Sequence, residues 1–74
     1  GPITVKDFSG GLYAVARIRP RLGGDIPQGW QALHRWVVSS GRRHGRHQWL
    51  EEHLAPLGVP WDELEMDLYY PLAE

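Results

Sequence analysis

The feature that most constrains this fold is a single apolar stripe, Trp30, Leu33, Trp36 and Val37, spaced i, i+3, i+6 and i+7. That spacing collects four large side chains on one side of a helix, opposite Gln31, His34 and Arg35. The helix is predicted over 26–40. Asp25 can cap it, Pro27 fits a first turn where its missing N–H leaves nothing unpaired, and Gly41 stops it. A helix this short is marginal alone in water and gains its stability from packing. The stripe therefore needs a sheet beneath it.

Strand-like segments flank the helix on both sides. Ile3 to Asp7 alternates apolar and polar residues and reads as a short strand or an extended lead-in, broken by Ser9-Gly10-Gly11. In the next segment, Leu12 to Ile18, Tyr13, Val15 and Arg17 share one face and Ala14, Ala16 and Ile18 the other. Small alanines on a strand face mark close approach of a helix. Pro20 and Gly23-Gly24 form the loop into the helix, and Gly41 to Gly45 form a basic turn after it. Arg46 to Leu54 is expected as a strand, with Trp49, Glu51 and His53 on one face and Leu50, Glu52 and Leu54 on the other. A helix over 48–54 competes, since Leu, Glu and Gln are good helix formers. Pro56, Gly58 and Pro60 make a loop and Trp61 to Leu64 a single turn. Glu65 to Leu72 closes the sheet, with Leu68 and Tyr70 opposite Asp67 and Tyr69. The expected fold class is α+β: a small antiparallel sheet covered by one main helix, in the order strand, helix, strand, strand.

Size and charge narrow the function classes. A domain of 74 residues buries only about 60% of the surface its unfolded chain exposes, so its core is thin. No cysteine is present, which removes disulfides and thiolate metal cages and suits a reducing cytoplasm. Eight Lys or Arg against nine Asp or Glu give a formal charge of −1, with no net pull toward nucleic acid or an acidic membrane. No apolar run approaches the roughly 20 residues of a membrane span, and no basic-then-apolar leader opens the sequence. Met66 is the only methionine, and Gly1-Pro2 resembles a tag remnant or the edge of a cut from something longer.

The chemistry-bearing residues are carboxylates set among large aromatic rings. Trp49-Leu50-Glu51-Glu52-His53 and Met66-Asp67-Leu68-Tyr69-Tyr70-Pro71-Leu72 both place acidic groups beside indole or phenol faces. Such surroundings suit a greasy cation or hydrogen-bonding small molecule, because the rings supply apolar area and cation–π attraction and the carboxylate supplies countercharge. Trp30 and Trp36 read as core, because helical spacing already explains them. His44, His47, Glu51 and His53 cluster in sequence, but on a strand His47 and His53 lie about 20 Å apart, too far to share an ion, so no metal is expected. Arg42, Arg43 and Arg46 with His44 and His47 form a basic turn without a stacking platform or a recognition helix, so no nucleic-acid contact is expected. Gly23-Gly24-Asp25 lacks the lysine of a phosphate loop.

The segments Gly11-Leu12-Tyr13-Ala14-Val15, Trp30 through Leu33 to Trp36 with Ser40-Gly41, Leu50-Glu51-Glu52-His53 and Asp67-Leu68-Tyr69-Tyr70-Pro71-Leu72, in this order, resemble the second half of the GyrI-like domain. That is the effector-binding domain of bacterial multidrug-responsive transcription regulators, found also as a stand-alone small-molecule-binding protein. The resemblance implies that Glu51 recognises a drug-like, lipophilic and cationic or aromatic ligand in an aromatic cleft, with Tyr69 as a lining tyrosine. By strand parity, taking the faces of Leu50, Leu54, Leu68 and Tyr70 as those under the helix, Glu51 and Tyr69 look into the same cleft, with Tyr13, Trp49 and His53. Two departures are evident. His53 stands where the family commonly has a tyrosine, adding a group that titrates near neutrality. The family domain also joins two strand-helix-strand-strand modules, and this chain has one. A homodimer or a second module from another segment would complete it. No cofactor is implied. Some GyrI-like proteins resemble hydrolases of reactive small molecules, which would make Glu51 a general base; others are linked to inhibition of a topoisomerase partner, which would make this a protein-interaction module.

Overall fold

The structure, a computed structural model, describes residues 3–19, 25–54, 58–60 and 63–74, with Asp25 described by its backbone alone. Gly1-Pro2, the loop through Pro20 and Gly23-Gly24, the cap by the Asp25 side chain, Pro56, and Trp61-Asp62 of the expected turn lie outside the described residues. The elements run β1 (Thr4–Phe8), β2 (Gly11–Ile18), α1 (Asp25–Ser39), β3 (Leu50–His53) and β4 (Met66–Leu72). They build a four-stranded antiparallel sheet of order β1-β2-β4-β3 packed against one helix, an α+β fold.

The segment at Ile3 to Asp7 is a strand and not merely a lead-in. Phe8 pairs with Gly11, so Ser9 and Gly10 alone make the turn, both with positive φ (52° and 83°). A two-residue turn of that kind matches the right-handed twist of the flanking strands. At the other end of α1, Gly41 takes φ 77°; the Gly41 N–H donates to the Val38 carbonyl and the Arg42 N–H to the Val37 carbonyl. That pair of bonds satisfies carbonyls the helix would otherwise leave open and fixes its stop at Gly41.

α1 lies over β2 and β4. Leu33 and Val37 bury against Ala14, Met66, Leu68, Tyr70 and Leu72, with Trp30 and Trp36 packed at the margin. Ala14 and Ala16 sit under the helix as their size suggests. The helix backbone comes closest at Gly29, where a Cβ would stand 2.7 Å from Leu68 Cδ1 and 3.1 Å from Ile18 Cγ2.

The second face of the sheet is also buried at its centre. Tyr13, Val15 and Tyr69 form a separate cluster there, with Leu50 packed on it. All seven residues of β4 are buried, on both faces alike. No helix covers this face among the described residues; it is covered by its own side chains, with the Phe8 ring 5.0 Å from Tyr69 and Tyr13 5.5 Å from it, edge to face.

β3 differs from expectation in length. The expected strand over 46–54 shortens to Leu50–His53, and a strand, not a helix, occupies its core. The preceding residues instead form a loop strapped to β4: the Gly45 N–H donates to the Pro71 carbonyl at 2.9 Å, the Ala73 N–H to the Arg43 carbonyl at 2.8 Å, and His44 bridges Leu72. The basic turn is thus held against the sheet. No described helix is long and apolar enough to cross a membrane.

Candidate functional site

The register of β3 decides where each candidate points. Leu50 pairs with Tyr69, Glu51 with Leu68, Glu52 with Asp67 and His53 with Met66. Directly opposed residues in an antiparallel pair share a face. Glu51 and His53 therefore lie on the helix side with Leu68, whereas Glu52 lies with Tyr69 and Tyr13 on the other side. The expected single cleft holding both Glu51 and Tyr69 is not present. Leu50 does not mark the helix side: it packs on the second buried cluster, which turns Glu51 toward the helix and away from Tyr69.

On the face away from the helix the tyrosines are fully engaged. The Tyr69 hydroxyl donates to Glu52 Oε1 at 2.7 Å and accepts from Lys6 Nζ at 3.3 Å. Burial, followed by the bond to Glu52, pushes this phenol above its usual range, and Lys6 partly opposes the shift. The Tyr13 hydroxyl donates to the Gln48 carbonyl at 2.8 Å, and its ring meets His47 edge-on. His47 Nε2 lies 2.8 Å from the Leu12 carbonyl, an acceptor only, so Nε2 carries the proton. Nearby, buried Asp67 is held by Arg17 at 3.0 Å, and that carboxylate raises the Arg17 pKa through the hydrogen bond and its charge.

On the helix side, α1 covers β2 and β4 but stops short of β3, and a groove opens between them. Trp49 reaches across it from the residue before β3. Its ring stands 5.2 Å from Trp30, 4.9 Å from His44 and 4.6 Å from Tyr70, the Trp30 and Tyr70 contacts being edge to face. Such pairs add attraction beyond their buried area. Trp49 nevertheless remains 44% exposed. One end of the groove is a cavity of about 480 Å³ lined by Trp30, Trp49 and Glu51. The adjoining end, about 390 Å³, shares both tryptophans and adds Gln31, His34, Arg35 and Tyr70. Tyr70 is buried, and its hydroxyl lies 2.9 Å from His34 Nδ1.

Of the five residues singled out from sequence, the structure thus brings Glu51 and Trp49 together. His53 shares their face but lines neither cavity, and Tyr13 and Tyr69 stand behind the sheet. Trp30, His34 and Tyr70 were missed as site residues. Trp30 packs at the core's margin and walls the groove as well. Its position at the edge of the stripe, one turn before His34, was the available signal. Among the described residues no group of three His, Asp or Glu side chains is arranged to hold a metal ion.

Comparison of the chain with protein-family models, curated proteins and solved structures finds no match.

Proposed function

We propose that this chain is a small-molecule-binding module for lipophilic, positively charged aromatic compounds, of the transcription-regulator effector type that its resemblance to GyrI-like domains implies. The observation carrying this reading is that, among the described residues, Glu51 is the one charged group lining a cavity whose other described walls are the indoles of Trp30 and Trp49. A lipophilic aromatic cation lying there meets π faces that attract it and a carboxylate that neutralises it. Glu51 is exposed, so the empty groove carries no buried charge. Selection for cations comes from the countercharge and the rings. At roughly 0.3 kcal/mol per heavy atom, a ligand of about 25 atoms is limited to low-micromolar affinity, and an open groove places it nearer 10–100 µM, about tenfold weaker.

The test is a tryptophan-fluorescence titration with tetraphenylphosphonium and with neutral triphenylphosphine oxide, on the parent and on Glu51→Gln. Saturable quenching by the cation, weakened about threefold or more in the variant while the neutral compound is unaffected, supports the reading. Absence of a saturable response to either compound defeats it.

For the hydrolase alternative, in which Glu51 would act as general base beside Tyr69 or His53, Tyr69 lies on the opposite face of the sheet, whereas His53 shares the face of Glu51. The resemblance further implies a second module, supplied by a homodimer or another segment, and in a regulator the bound ligand would bias a linked DNA-binding domain. A light-scattering mass of twice the chain would support the dimer.

A further inference from the structure

We infer that the groove is built for a dipolar ligand, an aromatic compound carrying a cationic group at one end and a carboxylate or similar anion at the other. This inference rests on the binding role proposed above and adds the second charge. The two cavities share Trp30 and Trp49 as a common wall, yet their remaining linings differ in kind. The first adds one carboxylate, Glu51. The second adds Gln31, His34 and Arg35 over the buried Tyr70, with no carboxylate among its described lining residues.

Gln31, His34 and Arg35 stand at i, i+3 and i+4, so their side chains form one triangle on the helix surface. All three can donate hydrogen bonds. The His34 contact sharpens the point: where the Tyr70 hydroxyl donates to Nδ1, the imidazole proton sits on Nε2, a donor without a hydrogen-bond partner among the described residues. Arg35 has no ion-pair partner within 4 Å among the described residues. A guanidinium with neighbouring neutral donors is a good receptor for a planar carboxylate.

The polarity runs along the groove. β4 and α1 run in the same direction and β3 opposes them, so Glu51, paired with Leu68, lies near the level of Gly29 and Trp30, while His34 lies at Tyr70. From Trp30 to Arg35 the helix rises about 7.5 Å, which sets the separation of the two charged ends at roughly 8–11 Å. Two aromatic rings end to end span that length.

The test uses 4′-(aminomethyl)biphenyl-4-carboxylic acid, which carries both charges, its methyl ester, a cation only, and its N-acetyl derivative, an anion only. Calorimetric titrations on the parent, Arg35→Gln and Glu51→Gln separate the two ends; both residues are exposed, so the substitutions spare the core. The zwitterion is expected to bind about three- to tenfold more tightly than either singly charged compound, as a partly exposed charge contact allows. Arg35→Gln should remove its advantage over the ester without weakening the ester. Equal affinity of zwitterion and ester, or an advantage that survives Arg35→Gln, overturns the dipolar assignment while ester binding sustains the proposed function. If the ester itself fails to bind, the binding role falls with it.

Discussion

Adjacent glutamates on β3 have separate roles in this fold, and alanine at each position tells them apart. Glu52 accepts the hydrogen bond of the Tyr69 hydroxyl, on a residue with no exposed surface. Its removal leaves a buried donor without an acceptor, which costs about 1–3 kcal/mol. Lys6 still donates to the same oxygen, so the middle of that range, about 2 kcal/mol, is the expected loss. For a domain of this length that lowers Tm by about 10 °C. Glu51 is exposed and makes no described hydrogen bond, so Glu51→Ala should stay within about 0.5 kcal/mol of the parent. Both changes remove the same atoms from the same strand, so strand propensity cancels in the comparison. Tyr69→Phe supplies the control: in that background Glu52→Ala should lose most of its effect, giving a coupling of about 1–2 kcal/mol in a double-mutant cycle read by urea denaturation. Equal losses at positions 51 and 52, or a Glu52→Ala cost unchanged by Tyr69→Phe, would mean the register is off by one residue and the groove assignment fails with it.

Further outcomes follow from the same geometry. Gly29→Ala gains about 1 kcal/mol of helix propensity but drives a methyl into fully buried Leu68; with overpacking costing about 1–3 kcal/mol, a net loss near 1 kcal/mol is expected in chemical denaturation. Because the folded Tyr69 phenol holds its proton above the unfolded value of 10.0, its contribution is complete below pH 10 and is lost as pH rises through the folded value. Unfolding free energies from urea titrations at pH 8, 10 and 11 should therefore fall, by at most about 1.4 kcal/mol per pH unit from this group, and less steeply in Tyr69→Phe. His47→Ala removes the bond to the Leu12 carbonyl and the edge contact with Tyr13, for a loss of about 1–2 kcal/mol in the same assay.

Much of the architecture is legible in the residues. The stripe from Trp30 to Val37 defines the helix, Gly41 defines its end, and Ala14 and Ala16 reveal the strand face beneath it. Tyr13 and Tyr69 share one face, in the buried cluster behind the sheet. What alternation could not reveal is which face of β3 joins the helix side. That inference needs one wet face to serve as reference, and here Leu50 is apolar because it packs on Tyr69, Tyr13 and Val15. With β4 buried on both sides, an apolar residue no longer tells inside from outside. The groove itself combines Trp30 and Trp49, about twenty residues apart in sequence, and only the pairing of β3 with β4 brings them together.

The central position of β4 has a consequence for how the chain reaches its native state. β2 forms a local hairpin with β1, but its other neighbour arrives from about fifty residues downstream, as Val15 opposite Tyr69 shows. Until β4 is available, the helix has half a floor, β3 has no partner at all, and the hairpin is too small to stand alone. Assembly should accordingly wait for the last strand, and shortening the chain from the β4 end should abolish folding, whereas trimming the edge strand β1 leaves β2, β4, β3 and the helix paired and costs the Phe8 and Lys6 contacts to Tyr69.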